Sequence, residues 1–138
     1  MSKKVISLFA ALVLLFCFGV NCFANATKEP EIQPYYSYTA DHKTMLTKSG
    51  ENLICKSTLS GIPNTTIKVK ITMTLEKRVL FWWSEKQTWT QTFNSYSGTL
   101  AKTYSDADSG TYRISTEYVA YSGTKSETIT DTSSEVKV

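Results

Sequence analysis

From Ile67 to Glu76 the chain alternates apolar and polar residues without a break. Ile67, Val69, Ile71, Met73 and Leu75 hold one parity, and Lys68, Lys70, Thr72, Thr74 and Glu76 hold the other. A period of two puts the first set on one face of a strand and the second on the opposite face, whereas a helix would spread both around its circumference. Five consecutive matches commit this segment to a half-buried strand lying against a core.

Other segments repeat the pattern. Gly50 and Gly61 bracket Leu53, Cys55, Ser57 and Leu59, and Gly110 opens Tyr112, Ile114, Thr116, Tyr118 and Ala120, both at period two. Tyr121-Ser122-Gly123-Thr124 turns into a last strand at Glu127–Thr132. Shorter strands are expected at Ser37–Thr47, Thr88–Phe93 and Thr99–Tyr104. About seven strands at short spacing predict an all-β, immunoglobulin-like antiparallel sandwich rather than a barrel. Its expected core is Leu53, Cys55, Leu59, Ile67, Val69, Ile71, Met73, Leu75, Leu100, Tyr112, Ile114 and Tyr118. Composition agrees, because the chain after position 26 holds 20 Thr with eight Tyr and three Trp, residues that suit a pleated, half-buried surface. A Ser/Thr-rich stalk would share that composition but not the alternation.

The first 26 residues read as an address. Lys3 and Lys4 precede an uncharged apolar run, Val5 to Val20, and Ala24-Asn25-Ala26 places small residues at the −3 and −1 positions of a cleavage site. This predicts a signal helix over residues 1–26, cleaved after Ala26, and a secreted, extracellular protein. An uncleaved membrane span is the competing reading, against which Asn21 interrupts the run. Residues 27–34, with two prolines, are expected to lead loosely into a domain spanning 35–138. Removing the address changes the arithmetic. Two of the 15 basic residues and two of the three cysteines lie within it, so the remainder nearly balances its 12 acids and keeps Cys55 alone. A disulfide scaffold and an electrostatic nucleic-acid footprint are thereby excluded.

Asp108-Ser109-Gly110-Thr111-Tyr112 resembles the D-x-G-x-Y run at the start of strand F in immunoglobulin-type domains. Gly50-Glu51-Asn52-Leu53-Ile54-Cys55 resembles their strand B. The resemblance implies a corner in which the Tyr112 hydroxyl bonds back to the preceding loop, giving Asp108, Gly110, Tyr112 and Cys55 structural roles. Ile114 stands where that family has its second cysteine, so no inter-sheet disulfide is implied. The chain after residue 26 also resembles small secreted proteins of Clostridia-type Gram-positive bacteria, in a Tyr-rich start, a single-Cys strand, a Trp-bearing hairpin and the ending at 111–128. That resemblance implies a fold and a location, and no activity.

Few residues offer chemistry. Cys55 is expected to be a small buried hydrophobe, with an interchain disulfide or a reactive thiol as alternatives. His42, the lone histidine, is expected on the solvated surface of an edge strand, with no nucleophile elbow to serve. Asp106–Gly110 puts its glycine out of register for a calcium loop, since Thr111 falls at position six. No two carboxylates are placed to flank a glycosidic bond. The sequence therefore calls for no enzyme, metal or cofactor.

The informative stretch is Leu80–Trp89. With a two-residue turn at Glu85-Lys86, Trp82 would face Trp89 across the ladder. Phe81 and Trp83 would then point inward, while Arg78, Leu80, Trp82, Trp89 and Gln91 would form an outward aromatic platform. The expected function is a non-enzymatic binding module for a cell-surface glycan or protein, with those five residues as its ligand-binding set. The alternatives are a membrane-active effector, which alone brings membrane contact, and a purely structural extracellular protein.

Overall fold

The computed structural model describes residues 35–138; the expected signal helix, its cleavage residues Ala24 and Ala26, and the lead-in at 27–34 lie outside the described residues. Eight strands and no helix occur among the described residues: β1 (Thr39–Ser49), β2 (Asn52–Gly61), β3 (Lys68–Val79), β4 (Trp82–Phe93), β5 (Ser97–Tyr104), β6 (Thr111–Ser122), β7 (Lys125–Thr132) and β8 (Val136–Lys137). They form two antiparallel sheets, one in the order β1-β2-β5 and the other β4-β3-β6-β7, with the short β8 also pairing with β6. The sheets pack face to face as a sandwich. Leu46, Leu53, Cys55, Leu59 and Leu100 from the first meet Val69, Ile71, Met73, Leu75, Tyr112, Ile114, Tyr118, Ala120 and Ile129 from the second. Period-two alternation produces this core directly, since β2, β3 and β6 each present every second residue inward.

Of the expected core residues, Ile67 is the exception, 59% exposed. The chain enters β3 with Thr66 turned inward instead. The Thr66 hydroxyl donates to the Tyr38 carbonyl at 2.5 Å and accepts from the Ile62 amide at 3.2 Å. The alternation therefore holds only from Lys68 onward. Leu46, Ala107, Val119 and Ile129 join the buried set from outside the expected core, and Ala120 is buried on the parity it shares with Tyr112 and Tyr118. Two buried hydroxyls, Ser57 and Thr116, bond to each other across the sheets at 2.8 Å, which satisfies both in an apolar layer.

Strands β3 and β4 differ most from expectation. β4 begins at Trp82, six residues before its expected start, because the hairpin turns at Leu80-Phe81 and not at Glu85-Lys86. Val79 pairs with Trp82 and Arg78 with Trp83. Beyond a bulge, where Leu75 pairs with Gln87 and Glu76 with Glu85, Lys86 is the extra residue. The last β3–β6 pair is Lys77 with Tyr112, so the hairpin overhangs the sheet from Arg78 to Trp83.

Candidate functional site

At the end of the overhang four consecutive apolar residues face solvent: Val79, Leu80 (74% exposed), Phe81 (98%) and Trp82 (55%). The other exposed large apolar residues, Tyr35, Met45, Ile54, Ile67 and Tyr96, are scattered along the sequence. The turn explains part of this. A two-residue hairpin loop with positive φ at its first position normally takes glycine there, yet Leu80 holds that position at φ 56°. An L-residue with a bulky side chain in this conformation is strained. The position keeps a leucine side chain where backbone geometry favours none.

The overhang is anchored at its root. Three successive residues of β3 each reach a different segment. Glu76 accepts from Arg113 of β6 at 2.7 Å, Lys77 donates to Asp108 in the β5–β6 loop at 2.6 Å, and Arg78 donates to Glu135 before β8 at 2.7 Å. Arg78 and Arg113 lie over the Trp83 ring, their guanidinium carbons 4.8 and 4.1 Å from its centroid. Trp83 is thus a half-buried ring in contact with two cations, each already paired with a carboxylate.

The corner implied by resemblance supports the same root. The Tyr112 hydroxyl donates to the Asp108 carbonyl at 2.7 Å and lies 3.1 Å from its carboxylate. Gly110 passes beside the Lys77 stem at φ 154°, and a Cβ there would overlap that side chain. The Lys77 ammonium, aided by the Tyr112 hydroxyl, pulls the Asp108 carboxyl down to about 2 from 3.8. β8 closes this end, with backbone bonds in both directions between Gly110 and Val138.

The outward platform is not assembled as expected. Of its five residues, Arg78, Leu80 and Trp82 gather at the overhang. Trp89 pairs with Met73 on the core face and packs, half-buried, against the core. Gln91 pairs with Ile71, farther along that edge strand and away from the tip. The bulge at Lys86 and the turn at Leu80-Phe81 together reverse the parity. Trp83 comes out beside Arg78, Trp89 goes in, and Trp82 is exposed only because it lies past the end of the core. Phe81, expected inward, is the most exposed of them all. A signal for it was present, since alternation breaks down into an unbroken apolar run from Val79 to Trp83.

Neither Cys55 nor His42 builds a second site. Cys55 is fully buried, and burial pushes its thiol up to about 12 from 9.0. His42 is half-buried rather than solvated, with the Tyr36 and Tyr118 rings 5.9 and 5.5 Å from its own. Packing against two tyrosines gives that edge strand a partly apolar inner side. No cluster of three or more metal-ligating side chains occurs among the described residues.

No protein-family model and no curated protein matches the chain. Among solved structures it is similar to wild-type OgpA from Akkermansia muciniphila, with 10% identity and a TM-score of 0.39 over 78% of this chain. The chain spans about a third of the length of that structure, 32%.

Proposed function

We propose that this protein is a secreted, non-enzymatic interaction module on an immunoglobulin-like sandwich, which engages its target through the tip of the β3–β4 hairpin. The observation that carries this reading is the exposed run Val79–Trp82 on an overhang that nothing among the described residues covers. A contiguous exposed apolar patch, unlike apolar residues scattered singly, is a usual mark of an interaction site. Strain at Leu80 adds to it, because a cost in backbone energy is retained where a side chain serves function. Secretion is supported by the Lys3, Lys4 and Ala24–Ala26 pattern of the first 26 residues. The immunoglobulin-like assignment is supported by the strand order β1-β2-β5 against β4-β3-β6-β7 and by the Tyr112 corner. The non-enzymatic reading is supported by how the titratable groups are used. The charges nearest the tip are spent on one another, and the thiol is sealed in the core.

The test is sedimentation of purified protein with bacterial envelopes and with host-cell membranes, for the wild type and for the double variant Leu80→Gly/Phe81→Ser. The variant is expected to keep the wild-type circular dichroism and to lose most of the association. Equal association of the two proteins, or none by the wild type, overturns the reading.

A further inference from the structure

Resting on that reading of the tip, we propose that its target is the interfacial zone of a lipid bilayer, which it enters from one side without crossing. Three features of the hairpin point there.

The first is the order of side chains along the overhang. Leu80 and Phe81 lie farthest out, Val79 and Trp82 one pair behind, Arg78 and Trp83 next, and the ion-paired residues Glu76 and Lys77 at the root. This is the layering of a membrane surface traversed from the acyl chains outward: aliphatic and phenyl groups deepest, tryptophan at the boundary, charges among the headgroups. A flat partner surface would need no such gradient.

The second is shape. The apolar residues cap a projecting two-residue turn and do not line a face, so a fluid phase covers them on all sides where a flat interface would cover one. The tight turn also leaves few backbone groups unpaired, since Val79 and Trp82 close the ladder immediately behind it. From Lys77 to Leu80 the overhang is three residues, roughly 10 Å at strand rise, against a hydrocarbon core of about 30 Å. The hairpin reaches the headgroup and upper acyl region of one leaflet and stops.

The third is charge. The collar behind the tip pairs Glu76 with Arg113, Lys77 with Asp108 and Arg78 with Glu135, one cation to each anion. A balanced collar suits a zwitterionic headgroup, which presents both signs, and gives no reason for attraction to an anionic surface. Binding is then driven by burial of the tip and not by counterion release.

Co-sedimentation with vesicles of pure phosphatidylcholine tests this, with depth-dependent quenching of tryptophan by spin-labelled lipid and with a trapped dye reporting leakage. The wild type is expected to bind at low and at high salt alike, to be quenched most by shallow labels, and to release no dye. Phe81→Ser is expected to weaken binding about tenfold or more, while Ile67→Ser, an exposed apolar residue outside the hairpin, leaves it unchanged. Loss of binding in high salt overturns the burial-driven mechanism, and dye release overturns entry without crossing. Absence of vesicle binding, together with tip-dependent association to lipid-extracted envelopes, overturns the lipid target and leaves the interaction module standing. Absence of any tip-dependent association removes both.

Discussion

Leu80 and Gly110 both hold positive φ, and they do so for opposite reasons. At Gly110 the backbone takes a φ of 154°, which side chains rarely adopt, and a Cβ would press on the Lys77 side chain that holds Asp108, so glycine suits the position. Gly110→Ala is expected to lower stability by about 1–3 kcal/mol, read as a shifted urea midpoint, because both strain and overlap oppose the new methyl group. At Leu80 the backbone again favours glycine, yet the side chain stays. Leu80→Gly is therefore expected to raise stability by about 1 kcal/mol and the melting temperature by several degrees while weakening association with membranes. A variant that loses both stability and association would instead make Leu80 an ordinary packing residue, and the tip would lose its standing as a docking element.

The hairpin behaves as an element because its root is fixed. Trp83 is contacted by both Arg78 and Arg113, and each guanidinium is turned toward a carboxylate that keeps it there. Removing the ring frees two cations at once, so the effects of replacing Trp83 and Arg113 should not add. A double-mutant cycle with Trp83→Leu and Arg113→Lys, followed by urea unfolding, is expected to give a coupling of about 0.5–1 kcal/mol, the range for half-exposed cation–π pairs. A coupling of zero would mean that the ring and the guanidinium merely share a surface. This element is also where sequence reasoning fails, for a definable reason. Neither Glu85-Lys86 nor Leu80-Phe81 contains the Gly or Asn that marks a tight hairpin turn, so turn chemistry is silent about where the chain reverses. The extra residue at Lys86 then slips the register by one, which exchanges the two faces of everything beyond it. β2, β3 and β6 are legible because each runs unbroken between core neighbours, and the Asp108–Tyr112 corner is legible because its residues are contiguous. A bulge leaves no trace in composition. The order of the strands is equally hidden, since alternation says that a strand has an inner face but not which strand lies beside it.

At the scale of the whole molecule, the sandwich places a weak acid at each extreme of its pH range. Near the root of the hairpin, the Lys77 ammonium and then the Tyr112 hydroxyl hold the Asp108 carboxyl at about 2, below its ordinary 3.8. A depressed pKa means that the folded state binds this proton more weakly than the unfolded chain. Its contribution is present above pH 3.8 and disappears as pH falls through about 2. In the middle of the core the sign is reversed. Burial raises the Cys55 thiol from 9.0 to about 12, so the unfolded chain releases that proton first. That contribution is complete below pH 9.0 and declines as pH rises toward 12. Tyr112 and Tyr118, both raised chiefly by burial, add to the same alkaline slope above their ordinary 10.0. Urea midpoints measured against pH should therefore form a plateau through neutrality with a fall on either side. Asp108→Asn is expected to flatten the acid fall, and Cys55→Ala to delay the alkaline fall from about pH 9 to the region where the tyrosines ionise. A thiol reagent at neutral pH should leave Cys55 unmodified until the protein unfolds, because both access and ionisation are denied by the same burial. Rapid modification of the folded protein would place Cys55 outside the core, and with it the register of β2 against β5 on which the first sheet is built.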